Sequence, residues 1–242
     1  MEINKKYHKN SRKLILSTVL LSLIVILPIV ALITSTVNVD TSNFKYLWNN
    51  LLFDYSFDTI YLVLITSFFS LLFGVLPAWY ISTNSFKGKN IYDILLYLPL
   101  AIPVYIMAFT YSDILSYTGP MQSFARNYFP ELASLLNQDY LQIEILGIIM
   151  ALALYPYIYT ACRLSFSLVG ANYIDLSRSL GMSRTRTFYK IVIPLSRVSI
   201  FSGLFLVIME VLNEYGAVKY FGVNTFTSGI FRSWYSMQDV ET

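Results

Sequence analysis

Residues 14–33 (LILSTVLLSLIVILPIVALI) form an unbroken run of twenty residues without a charged side chain, and this run constrains the chain more than any other feature. As a helix rising about 1.5 Å per residue, such a run reaches across a hydrocarbon core of about 30 Å. Four further runs follow, at 59–82, 94–112, 145–162 and 198–218. The last is free of charge as far as Met209 and then continues past Glu210 and Glu214. Lipid offers backbone groups no hydrogen-bonding partner, so each run predicts a helix. Pro77, Pro99, Pro103 and Pro156 fall inside these runs. Neighbouring helices can satisfy the carbonyls that proline frees, so these prolines predict kinks rather than ends. The expected fold is all-α: a polytopic transmembrane helical bundle of about five spans.

Composition agrees. Charged residues are 13% and hydrophobic residues 56% of 242, and mean hydropathy is +0.57. A soluble domain carries about a quarter charged residues. A cleaved signal peptide would also open with Lys5, Lys6, Lys9, Arg12 and Lys13. Its apolar region, however, is about 7–15 residues and ends at a small-residue cleavage site. Thr34-Ser35-Thr36 is a poor one, so the first run reads as an anchor. Cys162 is the single cysteine and His8 the single histidine. That excludes a disulfide framework and leaves metal sites and Ser/His/Asp catalysis little to work with. The net charge of +3 is too small to argue for nucleic acid.

The basic residues are more informative by place than by number. With five spans, the N-terminal arm 1–13 shares a side with residues 83–93 and 163–197. Thirteen of the seventeen Lys and Arg fall there, while Lys45, Arg126, Lys219 and Arg232 fall on the other side. Such an excess marks cytoplasmic segments and predicts a cytoplasmic N-terminus.

The longest of these segments, 163–197, contains GANYIDLSRSLGMSRTRTFYKIVIPLSR at 170–197. Asn172 suits the cap of a short helix over 173–180, and Gly181 suits the left-handed residue that ends it. Arg184, Arg186 and Lys190 then predict a second, basic helix, and Pro194 marks entry to the fifth span. A short helix tied stiffly to two spans can be pushed by a partner. An ordinary basic loop obeying the same charge rule is the plainer alternative.

At these residues the chain resembles the integral-membrane permeases of binding-protein-dependent bacterial ABC importers. Their cytoplasmic signature reads Glu-Ala-Ala, three residues, Gly, nine residues, Ile, one residue, Leu-Pro. Here Asp175-Leu176-Ser177 stand in the first positions, and Gly181, Ile191, Ile193 and Pro194 follow at the same intervals. Asp for Glu, Leu and Ser for the alanines, and Ile for Leu are the departures. The resemblance implies that Asp175, Leu176, Ser177, Arg178, Gly181, Arg184, Ile191 and Pro194 form a coupling loop docking on a separate ATP-binding cassette subunit. It also implies an extracytoplasmic substrate-binding protein and a second permease half, fused or separate, in a bacterial inner membrane. No glycine loop with Lys-Ser/Thr occurs, so ATP and Mg are expected on the partner ATPase; no cofactor and no catalytic site are expected in this chain.

The stretch 213–235, NEYGAVKYFGVNTFTSGIFRSWY, is similar to the ferric-iron permease subgroup at Glu214, Tyr215, Gly216, Phe221, Gly222, Val223, Thr225, Thr227, Gly229, Ile230 and Trp234. Iron(III) is the cargo this similarity implies, with thiamine, polyamine and sulfate permeases as related alternatives. Glu210 and Glu214, four apart on one helical face, are candidates for a cation-attracting outer mouth, against the plainer reading of solvated interfacial carboxylates. Phe226, Ile230 and Trp234 make an interfacial stripe if helical. A non-transporting scaffold or sensor is the reading from another class, and a secondary transporter would show paired repeats not found here. Halves of such importers usually have six spans, so residues 14–242 read as a permease domain lacking a final span. A truncated chain, an interrupted reading frame or one segment of a longer protein all remain open.

Overall fold

The computed structural model describes residues 2–35, 45, 48–131 and 138–236. They fall into two compact units, one of Met1–Leu51 with Ser233–Thr242 and one of Leu52–Arg232. The first contains α1 (Glu2–Ser35), which passes through Pro28 unbroken. Its segment Lys13–Thr34 has the length and apolarity of a span, and no side chain there is buried. The basic arm is thus helical from Glu2 and continuous with the expected span at 14–33.

The second unit is built on two long helices, α2 (Leu52–Thr83) and α6 (Ile143–Ser179). Both contain spans, Leu52–Thr83 and Ile143–Val169. Their buried faces include Leu62 and Ala78 from α2, and Leu146, Met150, Ile158, Tyr159 and Phe166 from α6. A helix α9 (Arg197–Asn213) joins them through Gly203 and Val207. Ile158 sits at the point where the three helices meet. A Cβ on Gly74 of α2 would lie 2.8 Å from the Ile158 side chain, and one on Gly203 would lie 2.8 Å from the Ile158 Cα. Glycine is required there because backbones approach too closely for any side chain.

The third expected span is not one helix. Residues 89–128 form α3 (Lys89–Leu95), a 3₁₀ turn Leu98–Ala101, α4 (Val104–Leu115) and α5 (Pro120–Tyr128). The direction changes by 96° between Ala101 and Val104. Pro103 is the cause: the residue before a proline is driven to extended backbone, and Ile102 lies at φ −107°, ψ 121°. The carbonyl of Pro103 then accepts the first amides of α4, from Ile106 at 3.0 Å and Met107 at 3.2 Å. Pro77 and Pro156 leave their helices running, as expected of prolines with packed neighbours.

The fifth run differs at both ends. It is preceded by α7 (Arg184–Thr187), a π-helical turn Phe188–Val192 and α8 (Ile193–Leu195), with a 72° bend before α9. It stops at Asn213 instead of continuing to 218; α10 (Gly216–Phe221) follows, then α11 (Phe226–Ser236). Counting each bent pair as one, the described residues contain up to five spans and no strand. The fold is the all-α membrane bundle expected.

Candidate functional site

The basic segment 170–197 begins as a direct continuation of a span. The helix α6 runs through 172 to Ser179, so no separate short helix is capped by Asn172. Extending a helix by one residue costs far less than nucleating a new one. Gly170 inside it costs only about 1 kcal/mol relative to alanine. The side chains of Asn172 and Arg178 lie outside the described residues. Asp175, Leu176 and Ser177 therefore ride on the last turns of the helix that carries Arg163 in its span.

The exit from α6 is as expected. Gly181 has φ +74°, and the amide of Met182 donates to the Ser177 carbonyl at 3.0 Å, closing the left-handed C-terminal motif. Nothing stands within 4 Å of a Cβ on Gly181, so the backbone angle alone requires glycine. Ser183 caps α7 by accepting the Arg186 amide at 3.3 Å.

What ties the two arms of the turn together is a buried pair of hydroxyls. Ser177 Oγ lies 2.8 Å from Thr187 Oγ1, and both residues are about 1% exposed. Ser177 Oγ also lies 2.8 Å from the Ile174 carbonyl and Thr187 Oγ1 3.2 Å from that of Ser183, so the two hydroxyl protons serve the pair and one of these carbonyls at a time. Thr187 was not singled out in the sequence, because only the tertiary turn reveals its partner. Phe188 and Val192 are the buried apolar residues of the second arm, whereas Ile191 is half-buried and Pro194 exposed. Phe188 packs on Trp79 of α2, with ring centroids 5.0 Å apart.

Arg184 crosses to the end of α2, donating through one nitrogen to Thr83 Oγ1 at 2.8 Å and Asn84 Oδ1 at 2.7 Å. Lys89 Nζ donates to the Asn84 carbonyl at 3.0 Å. Deeper in, Arg163 pairs with Asp93 at 3.2 Å, and the Tyr159 hydroxyl donates to the other Asp93 oxygen. Thr83, Lys89, Arg163 and Arg184 border a cavity of about 380 Å³, whose lining also includes Asp175. Leu176, Leu180 and Tyr189 present 57%, 74% and 64% of their surfaces.

The two glutamates are not on one helical face. Glu210 is in α9, exposed, and accepts from the Tyr157 hydroxyl at 3.2 Å. Glu214 lies past the end of α9 in extended backbone, and its carboxylate accepts the Ala217 amide at 2.8 Å, capping α10. The chain turns after Asn213, so the four-residue spacing does not align them. In the 213–235 stretch, Gly222 has φ +70° and ends α10. Thr225 and Ser228 bond each other's amides at 2.8 and 3.3 Å, opening α11. Phe226, Ile230 and Trp234 all lie exposed on α11. No cluster of three His, Cys, Asp or Glu occurs among the described residues.

A helical membrane bundle with a basic turn between two spans defines a class, the polytopic membrane proteins. Residues 70–239 match the family described as binding-protein-dependent transport system inner membrane component, and the chain belongs to that family. It is 25% identical over 166 residues to the sulfate transport system permease protein CysT of Salmonella typhimurium, covering 69% of this chain and 57% of that protein. To the molybdenum transport system permease protein ModB of Escherichia coli it is 28% identical over 158 residues, 64% of this chain and 66% of that one. To the Fe(3+)-transport system permease protein FbpB 2 of Haemophilus influenzae it is 25% identical over 177 residues, 73% and 31%. The match thus spans between 31% and 66% of these relatives' lengths.

Proposed function

We propose that this chain is the membrane-spanning subunit of an ABC importer in a bacterial inner membrane, driven by a separate ATPase that docks on residues 175–194. The observation that carries this reading is the coupling turn. Leu176 is exposed at the end of a helix continuous with a span, Leu180 and Tyr189 are exposed in the turn and second arm that follow, and a buried hydroxyl pair ties the two arms together. A push on those side chains travels along α6 rather than dissipating in a flexible loop. In this reading the basic end of the bundle and the N-terminus are cytoplasmic, and ATP and Mg are held by the ATPase. A binding protein delivers substrate from the other side, and a second permease half completes the pathway. The family membership supports the permease role, the separate ATPase and the binding protein, and the charge asymmetry supports the orientation. Gly181→Pro forces a φ near −65° where +74° is needed. That variant should insert in the membrane yet lose transport and ATPase co-purification; retention of both refutes the docking assignment.

For cargo, we infer a small inorganic ion, with a tetrahedral oxyanion such as sulfate or molybdate first. The named transport systems of the relatives support it. Iron(III) is the second reading, favoured by the 213–235 stretch and by the iron-transport relative. The use of Glu214 as a helix cap weakens an acidic mouth as the reason for it. Uptake of radiolabelled sulfate, molybdate and iron(III) by cells carrying the complete system separates the readings.

A further inference from the structure

We propose that the cavity enclosed by the ends of α2 and α6, Lys89 and Arg184 binds a phosphate-class oxyanion, either as an anionic lipid headgroup or as the free ion. Its volume of about 380 Å³ accommodates a tetrahedral oxyanion with water. Three cations, Lys89, Arg163 and Arg184, line it against one carboxylate, Asp175. Only Arg163 is charge-paired among these contacts, with Asp93. Lys89 and Arg184 are positioned by neutral oxygens, those of Asn84 and Thr83. Those bonds fix the side chains without cancelling their charge. Lysine keeps two further donors, and a guanidinium has five in a fork suited to oxyanions. The Ser82, Thr83 and Ser167 hydroxyls in the lining direct their protons to the backbone carbonyls of Arg163, Trp79 and Leu164, so the cations are the donors left for an oxyanion.

This site goes beyond the docking role and does not need it, because binding is read without any ATPase. The full chain is placed in neutral phosphatidylcholine nanodiscs and titrated with inorganic sulfate and phosphate against chloride at matched ionic strength, following thermal unfolding. In a second arm, phosphatidylglycerol is added and its retention counted by native mass spectrometry. Stabilisation by the free ions identifies a soluble oxyanion, and retention in the lipid arm alone identifies a headgroup. In either case Lys89→Gln with Arg184→Gln should weaken binding about tenfold or more, and Lys190→Gln, an exposed cation outside the cavity, should not. Ser167→Phe fills the cavity while sparing the bonds of all three cations, so it decides the matter should the double variant fail to fold. No response in either arm, or an unchanged response in Ser167→Phe, overturns the proposal.

Discussion

Gly181 shows how much one backbone angle carries. Its φ of +74° turns the chain out of α6, and the space around it is open. Substitutions there should therefore rank by left-handed tolerance and not by size. Asn visits that region readily, whereas a β-branched residue does not. Gly181→Asn should retain most transport, and Gly181→Val should lose about 1–2 kcal/mol and most coupling, read as uptake beside thermal unfolding of the same preparations. The Ser177–Thr187 pair makes a second residue-scale prediction. Thr187→Val keeps the shape and removes one buried hydrogen bond, so it should cost about 0.5–1.5 kcal/mol. Because the two hydroxyls share that bond, adding Ser177→Ala should cost less than the sum of the single changes, a non-additivity that a double-mutant cycle measures. Asp93 is held by both Arg163 and Tyr159. Asp93→Ala should destabilise by about 1–3 kcal/mol, and Tyr159→Phe by less, in chemical or thermal unfolding in detergent.

Among the elements, packing at Ile158 is the most demanding contact. Gly203 faces the Ile158 backbone, which cannot rotate away. Gly203→Ala should therefore cost about 1–3 kcal/mol from overpacking, and Ile158→Ala should fail to rescue it, since Cα remains. Rescue would show that the helices slide apart freely. Element boundaries divide by physical cause. Pro103 has a local signature, yet prolines in spans are often absorbed by packed neighbours, so its run reads as one span from local residues alone. The absorbed cases, Pro77 and Pro156, lie in α2 and α6, whose packed neighbours are invisible from local residues. Asn172 misled in the opposite direction. Its capping chemistry is real, but an existing long helix extends more cheaply than a new one starts. Glu214 was placed on a helix that ends one residue earlier, where the Ala217 amide competes for its carboxylate.

At the scale of the whole molecule, Arg184 bonds Thr83 and Asn84, so the ends of α2 and α6 share one end of the bundle. The charge count predicted that pairing. Lys87→Cys and Arg186→Cys, both at exposed positions, should react with an impermeant maleimide only from the cytoplasmic side, and Tyr128→Cys only from the outside. The native Cys162 is fully buried and need not be removed. Labelling of Lys87→Cys and Arg186→Cys from opposite sides would refute the span order. The sequence by itself determined the membrane class, the number of apolar runs, the charge asymmetry and the spacing of the 175–194 motif. These rest on hydropathy, length and spacing, which each segment states alone. Only the tertiary structure decided the bends, the Thr187 partner of Ser177, the separation of Glu210 from Glu214, and the cationic cavity beside Gly181's turn. Each of those depends on which distant residue satisfies a polar group or limits an approach, and no local pattern encodes that.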